Sequence, residues 1–194
     1  MKVSVLNPNN YQKSVWKGGQ TTELFIFPKE ASYLERNFQI RISVAQVKEP
    51  ISQFTHLPGI QRNLLLLEGC LLLSVQTKGE QLVLPGDEIS FDGGTKIECK
   101  GKGTDFNVMT NGNQLVSCQY QKIETGERLQ LDQSNAGQLL FFYVHDGSIV
   151  VSINDREYQL KQEMSLMVDT LNEEVNIFLY ATHTTHLVLA EVLR

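Results

Sequence analysis

Apolar and polar residues alternate along most of this chain, which is the pattern of β-strands that bury one face. In residues 38–45, apolar side chains at even positions alternate with Gln39, Arg41 and Ser43 at odd positions. Only Glu30–Asn37 has the pattern of a short helical turn, and no longer segment keeps the spacing of an amphipathic helix. Further segments that predict strands are Thr21–Phe27, Leu64–Leu67, Leu71–Gln76, Gln81–Leu84, Glu88–Phe91, Asp105–Thr110, Leu115–Ile123, Leu139–His145, Ser148–Ile153, Tyr158–Lys161, Met164–Val168, Val175–Tyr180 and His186–Leu193.

Two segments of the chain share one pattern, which indicates an internal repeat. Residues 66–75 and 144–153 each place an acidic residue and a glycine between two apolar stretches. We interpret this as a hairpin turn between two strands in each segment. The two segments are offset by 78 residues (144 − 66 = 78), and the same offset aligns Leu82 with Leu160.

This density of short strands predicts an all-β protein, either a sandwich or a barrel. In the first half of the chain, the acidic-Gly pattern is followed by Leu84-Pro85-Gly86-Asp87, and this combination resembles a cupin, a small jelly-roll barrel. The repeat then predicts a bicupin, with two stacked jelly-roll (RmlC-like cupin) barrels. We expect an N-terminal module over residues 1–113 and a more degenerate C-terminal module over residues 114–194, with the possibility of a terminal strand crossing between them.

Five blocks near the start of the chain are more specific than a general cupin pattern. They are Trp16–Leu24, Arg41–Ala45, Phe54–Arg62, Phe91–Gly93 and Asp105–Met109. In order and spacing these blocks resemble the HutD/Ves family, bacterial bicupin proteins associated with histidine utilisation or stress responses. The resemblance implies a bicupin fold and a regulatory or small-ligand-binding role, with formylglutamate-like acids as suggested ligands.

Composition narrows the choice of partner and compartment. The chain has 17 Lys and Arg against 22 Asp and Glu, a net charge of −5, and its basic residues are scattered, which argues against a nucleic-acid partner. No signal peptide or membrane span is evident, because the most apolar stretch, Leu64–Val75, is interrupted by Glu68 and Gly69. We therefore expect a cytoplasmic protein with no membrane partner, and the sequence leaves its oligomeric state open.

Three cysteines are present, and they form no C-x-x-C pair. The odd number agrees with a reducing compartment. Cys70 lies among leucines and Cys118 lies in a strand pattern, so we expect both to be small buried hydrophobes rather than catalytic thiols.

The histidines do not have the spacing of a metal-dependent cupin, which needs two or three histidines and a carboxylate inside the barrel. His56 lies in a predicted loop, His145 flanks the second acidic-Gly pattern, and no H-x-H occurs. His183 and His186 are three residues apart, which places them on opposite faces of a strand. We predict no metal and no other cofactor.

Polar residues on two strands predict a pocket inside the first barrel. Arg41 and Ser43 share one face of their strand, and Asp105, Asn107 and Met109 share one face of theirs. If these faces line the lumen, the arginine suits a carboxylate ligand, because a guanidinium pairs with a planar anion through two hydrogen bonds. Two alternatives remain open at this stage: Arg41 pairs with Asp105 inside the protein, or the polar face is solvated.

Four more residues complete the predicted ligand-binding set. Trp16 precedes two glycines and is either a wall of the pocket or a core anchor. Thr22 follows it in the same block, and His56 and Arg62 belong to the block Phe54–Arg62. Arg62 either directs a second positive charge at the pocket or braces its own loop.

Three classes of function fit these residues. We favour a non-catalytic protein that binds a small carboxylate, because recognition groups are present and metal ligands are not. The enzyme alternative is a metal-independent lyase, isomerase or hydrolase that uses Asp105, Glu23 or His56 as acid-base groups. The third is a protein-interaction module without a small ligand. No nucleotide-binding loop or nucleophile elbow occurs.

Overall fold

The computed structural model is β-sheet throughout, which confirms the predicted fold class. Apart from a single 3-10 turn at Pro8–Asn10, the described residues form no helix, and in 30–37 one hydrogen bond of helical spacing, from Arg36 N to Ser32 O, closes a turn that does not continue as a helix. No described segment is thus a helix long and apolar enough to cross a membrane. The described residues are 1–76, 79–112, 114–134, 137–171 and 173–193.

Within these ranges, fifteen strands form two sheets. In chain order they are β1 (Lys2–Leu6), β2 (Gln12–Trp16), β3 (Gly19–Phe27), β4 (Ile40–Val47), β5 (Ile51–Gln53), β6 (Ile60–Val75), β7 (Gly79–Val83), β8 (Glu88–Asp92), β9 (Ile97–Asn111), β10 (Leu115–Ile123), β11 (Arg128–Ser134), β12 (Gln138–Ile153), β13 (Arg156–Lys161), β14 (Ser165–Asp169) and β15 (Val175–Leu193).

The chain divides into two compact units, Tyr11–Gln114 and a second unit in which Met1–Asn10 joins Leu115–Arg194. The expected first module, 1–113, included the first ten residues. Strand β1 instead pairs antiparallel with β14, and Val3 packs against the hydrophobic core of the second unit. Residues 2–6 are not among the segments predicted as strands, and β1 is a terminal strand that joins the other module, the possibility left open by the sequence.

The two units repeat one strand topology. Strand β6 pairs with β7, β8 and β9, and β9 pairs in turn with β4 and β5. In the second unit β12 pairs with β13, β14 and β15, and β15 pairs with β10 and β11. Strands β6 and β12 are both 16 residues long and begin 78 residues apart (138 − 60 = 78). The repeat read from the sequence is therefore present in the fold.

The acidic-Gly pairs are not hairpin turns, which corrects the expectation from sequence. Glu68-Gly69 and Asp146-Gly147 lie inside the continuous strands β6 and β12. The pairing of β6 with β9 shifts register between Leu66 and Glu68, so the first pair marks a β-bulge. Gly69 has φ 85°, and a Cβ there would lie 2.2 Å from the carbonyl oxygen of Lys102. A bulge and a turn both use glycine at positive φ, so local sequence does not separate them.

In one segment, the alignment of the two copies in the structure differs by one residue from the alignment predicted from the sequence. Val83 pairs with β6 at the position that Leu160 occupies against β12, so Leu160 corresponds to Val83 instead of Leu82. Leu82 is exposed, whereas Leu160 is fully buried. The cause is a shorter connection in the second copy, where two residues, 154–155, replace the three residues 76–78.

The bulge also changes the exposure of one cysteine. Cys70 follows the bulge and is exposed, in contrast to the expectation from its leucine-rich surroundings. Cys118 is buried as expected, and so is Cys99.

The hydrophobic core of the first unit includes Leu64, Leu66 and Leu73, which are buried side chains of β6.

Candidate functional site

A row of side chains crosses the sheet of the first unit and forms the floor of the candidate site. Arg41 on β4 pairs with Met109 on β9, Met109 pairs with Arg62 on β6, and Arg62 pairs with Phe91 on β8. Residues directly opposite one another on neighbouring strands project from the same face of a sheet. The two arginines therefore share one face, and one strand separates them.

The next two rows bring the polar residues of β9 to the same face. Asn107 lies between Ser43 and Leu64, and Asp105 lies between Ala45 and Leu66. The alternation along β4 and β9 thus places the predicted polar residues side by side, as the sequence pattern requires.

Arg41 is held by an ion pair with Glu23. Its Nε donates to Oε2 of Glu23 at 2.6 Å, and its Nη1 donates to Oγ of Ser43 at 3.3 Å. The guanidinium carbon lies 4.3 Å from the centre of the Tyr33 ring. Arg41 is 4% exposed, which argues against a solvated polar face. The alternative in which Arg41 pairs with Asp105 is not what the structure shows, because Glu23 occupies that role.

Arg62 is buried without a neutralising carboxylate. Its Nη2 donates to Oδ1 of Asn107 at 3.4 Å, and its guanidinium carbon lies 5.1 Å from the ring centres of both Phe54 and Phe91. Among the residues that the structure describes, Arg62 forms no ion pair, and its buried Nε has no hydrogen-bond partner. Burial lowers the pKa of Arg62, and the nearby Asp105 acts in the opposite direction.

Asp105 is a buried carboxyl group linked to Arg62 through Asn107. Nδ2 of Asn107 donates to Oδ1 of Asp105, while Oδ1 of Asn107 accepts from Arg62. Burial raises the pKa of Asp105 to about 7, although the charge of Arg62 and the hydrogen bond from Asn107 favour its ionised form. The group therefore titrates near neutral pH.

These residues line a cavity of about 210 Å³. Trp16, Tyr33 and Phe54 contribute apolar walls. Val15 and Leu34 also line it and are 86% and 88% exposed, so they lie at its rim. The volume is below the roughly 300–1,000 Å³ that is usual for drug-sized ligands, so the cavity suits a small molecule with few heavy atoms.

Seven of the nine predicted ligand-binding residues line this cavity, and two do not. Thr22 projects to the opposite face, because it pairs with Val44, whereas its neighbour Thr21 pairs with Ala45 and lines the cavity. His56 lies instead at a second, more open hollow with Lys96. The seven residues that the structure brings together are Trp16, Arg41, Ser43, Arg62, Asp105, Asn107 and Met109.

Several contributors to the site, among them Tyr33, Phe54 and Glu23, are not in the set predicted as ligand-binding residues. Tyr33 stacks on Arg41 from an irregular segment that has no strand pattern. Phe54 stands at the start of a family block, and this was the available signal for it. Glu23 was considered as an acid-base group, but its role in the structure is to neutralise Arg41.

The arrangement is suited to recognition and offers few catalytic groups. Of the three acid-base candidates, Glu23 is bound to Arg41, His56 lies outside the cavity, and Asp105 alone faces it. In the described part of the chain, no three His, Cys, Asp or Glu side chains come together in a way that would hold a metal ion.

Solved structures with similar folds define the class of protein. A conserved protein of unknown function from Pseudomonas aeruginosa PAO1 has a TM-score of 0.87 at 22% identity, with all of both chains covered. A cupin 2 conserved barrel domain protein from Leptotrichia buccalis has a TM-score of 0.57 at 12% identity, with 100% of this chain and 98% of that chain covered. The fold with two repeated sheets is that of a bicupin.

The family follows from the sequence match. A family model described as HutD matches residues 8–187, and the chain therefore belongs to the HutD family. The structure of HutD from Pseudomonas fluorescens SBW25, described as a formate condition, has a TM-score of 0.72 at 24% identity and covers 99% of this chain and 98% of that one. A search among curated proteins finds no match. The family name is consistent with the expected association with histidine utilisation.

Proposed function

We propose that the cavity of the first unit binds a small carboxylate and that Arg62 is the residue that recognises it. The observation that carries this proposal is the buried guanidinium of Arg62, which has a free Nε and no ion-pair partner among the described residues. A buried charge without a counterion is unfavourable, so a bound anion would lower its free energy. The charge of Arg41 is already neutralised by Glu23, so we assign Arg41 a structural role beside the ligand.

The surroundings of Arg62 favour a planar anion over a bulky one. Phe54 and Phe91 lie against the guanidinium, each with its ring centre 5.1 Å from the guanidinium carbon, and the planar edge of a guanidinium pairs with a planar anion through in-plane hydrogen bonds. Ser43 and Asn107 add polar groups at the same floor, while the aromatic walls lower the local polarity, which strengthens a charge-assisted hydrogen bond. A carboxylate matches this combination of charge, size and shape.

The ligand that we favour is an intermediate or product of histidine breakdown, with formylglutamate-like acids as the class to test. The HutD family name supports this choice, and the formate condition of the Pseudomonas fluorescens structure suggests formate as the smallest probe. We propose a regulatory role without turnover, because one acid-base group alone faces the cavity. We also propose that the protein acts in the cytoplasm and binds neither nucleic acid nor membrane. Cys70, Cys99 and Cys118 form no disulfide bond with one another, which agrees with a reducing compartment.

The test replaces Arg62 by methionine, which has a similar side-chain volume and carries no charge. Formate, acetate and N-formylglutamate are expected to raise the melting temperature of the wild type, because a ligand that binds the folded state stabilises it. Arg62→Met is expected to abolish this rise. Arg128→Met is the matched control, since Arg128 stacks on Tyr180 at 5.1 Å in the second unit.

Two results would contradict the proposal. One is an unchanged melting temperature of the wild type with all three acids at millimolar concentration. The other is a ligand-induced rise in Arg62→Met that equals that of the wild type. Turnover of any acid that binds, followed by NMR, would replace the regulatory role with an enzymatic one.

A further inference from the structure

We propose that the cavity takes up one proton, held on Asp105, together with each carboxylate that it binds. This inference rests on the proposed function and adds the charge state of the site. It predicts that the protein binds its ligand more tightly as the pH falls, and so senses the acid and the pH together.

The geometry of the floor connects the two groups. Asn107 accepts a hydrogen bond from Arg62 and donates one to Asp105, so all three side chains form one buried chain. Asp105 is 2% exposed and Asn107 is equally buried. When Asp105 is ionised, its negative charge lies in the field of Arg62 and takes the place of an external counterion. When it is protonated, Arg62 has no counterion of its own.

The sum of the charges on the buried side chains indicates how many carboxylate groups the cavity can take. The floor contains two cations, Arg41 and Arg62, and two acidic groups, Glu23 and Asp105. With Asp105 neutral, the sum is one positive charge, which one carboxylate cancels. With Asp105 ionised, the same carboxylate would leave a net negative charge in a cavity of low polarity, which is costly. The cavity therefore suits one inserted carboxylate group and a neutral Asp105.

No other group on the neighbouring elements replaces Asp105 in this role. Ala45 on β4 and Leu66 on β6 lie directly opposite it and are apolar. Cys99 lies on the same strand as Asp105, and burial raises the pKa of its thiol to about 11, so it stays neutral. Tyr33, on the segment before β4, faces Arg62 and Arg41.

The direction of the effect follows from linkage. Burial raises the pKa of Asp105 to about 7 in the absence of ligand. A bound carboxylate adds a negative charge near Asp105 and raises this pKa further. Formate and acetate remain ionised above about pH 5.5, so Asp105 is the group whose proton binding changes with ligand binding.

The experiment is isothermal titration of formate into the wild type and into Asp105→Asn, from about pH 5.5 to about pH 8.5, in two buffers of different ionisation enthalpy. For the wild type, Kd is expected to change less than about twofold between pH 5.5 and 6.5 and to rise about eightfold between pH 7.5 and 8.5. The buffers should report uptake of about one proton near pH 8. Asp105→Asn keeps the shape of the side chain, and its Kd should be independent of pH.

The outcomes separate this inference from the proposed function. Binding of formate to the wild type with a constant Kd and no proton uptake overturns proton coupling and leaves carboxylate binding intact. A steep pH dependence that persists in Asp105→Asn also overturns it. If that variant does not fold, proton uptake by the wild type alone decides the matter. Absence of formate binding at every pH overturns both proposals.

Discussion

Two buried arginines on one face of a sheet have different roles because their partners differ. Arg41 pairs with Glu23 at 2.6 Å, whereas Arg62 lies against two phenylalanine rings without a carboxylate partner among the described residues. Removing one member of a buried ion pair leaves the other as an uncompensated charge. Replacing an unpaired buried charge by an apolar group of similar volume removes that cost.

Stability measurements on the ligand-free protein distinguish these roles. Arg41→Met is expected to lower the free energy of unfolding by about 3–5 kcal/mol, because it leaves Glu23 unpaired. Arg62→Met is expected to leave it unchanged or to increase it, as measured by urea denaturation at about pH 5.5, where Asp105 is protonated and does not act as a counterion. The double variant Arg41→Met with Glu23→Gln should recover most of the loss. Equal destabilisation by the two single variants would contradict the assignment.

Asp105 makes stability depend on pH. Its pKa is raised from the usual 3.8 to about 7. Between pH 3.8 and about pH 7, the folded protein therefore keeps a proton on Asp105 that the unfolded chain has lost. Stability of the wild type should therefore fall as the pH rises through this window and level off above it. Asp105→Asn should gain stability relative to the wild type by about 1.4 kcal/mol per pH unit inside the window, measured by urea denaturation at pH 5 and 6. The exposed Glu49→Gln is the control, and a similar trend in it would refute the assignment to Asp105.

At the residue scale, the alternation of apolar and polar residues was sufficient to predict the pocket residues of a strand that has one clear polar face. Arg41 and Ser43 on β4, and Asp105 and Asn107 on β9, were all predicted to share a pocket, and the structure brings them together. The prediction that Thr22 lines the pocket was wrong, because both faces of β3 carry polar residues and alternation does not show which face points inward. That choice is set by pairing with β4, and no local sequence signal reports it.

At the scale of elements, the bulge in β6 depends on one glycine. Gly69 has φ 85°, and a Cβ added there would overlap the backbone of Lys102 at 2.2 Å. Gly86 has φ 93° but open space around it, so a Cβ there meets only the conformational penalty. Gly69 therefore combines strain with a steric clash that Gly86 lacks.

Alanine substitutions test this difference. Gly86→Ala is expected to cost about 1–2 kcal/mol from the left-handed backbone alone. Gly69→Ala is expected to cost at least about 2 kcal/mol more, because the backbone of β9 must move, and with it the strand that carries Asp105 and Asn107. Urea denaturation of both variants gives the comparison. A smaller loss in Gly69→Ala than in Gly86→Ala would contradict this account of the bulge.

Strand positions were predicted well, while strand continuity was not. The segment Leu115–Ile123 coincides with β10, and Glu88–Phe91 falls within β8. Leu64–Leu67 and Leu71–Gln76 were separated by glycine and an acidic residue, yet β6 runs through both. Glycine at positive φ is needed for either a turn or a bulge, and long-range pairing with β9 decides between them.

At the scale of the whole molecule, the two units share a topology but not a polar floor. Leu140 pairs with Val168 in the second unit as Arg62 pairs with Phe91 in the first. Likewise Val144 pairs with Leu187 as Leu66 pairs with Asp105. The counterparts of Arg62 and Asp105 are thus buried leucines of the hydrophobic core. The repeat preserved the barrel and filled the equivalent position with apolar side chains.

This difference predicts one carboxylate site per chain. Isothermal titration of acetate into the wild type at about pH 6 is expected to give a stoichiometry of about one, because the buried Leu140 stands in the second unit where Arg62 stands in the first. Arg62→Met should remove all binding heat. Two sites per chain, or residual binding in Arg62→Met, would show that a carboxylate also binds elsewhere.

The most direct test of carboxylate recognition by Arg62 is a crystal structure of the protein grown with formate at about pH 6, where Asp105 is protonated. We expect a formate oxygen within hydrogen-bond distance of the Arg62 guanidinium, inside the cavity that Ser43 and Asn107 also line. Formate bound only at other positions, without a contact to the Arg62 guanidinium, would contradict carboxylate recognition by this residue.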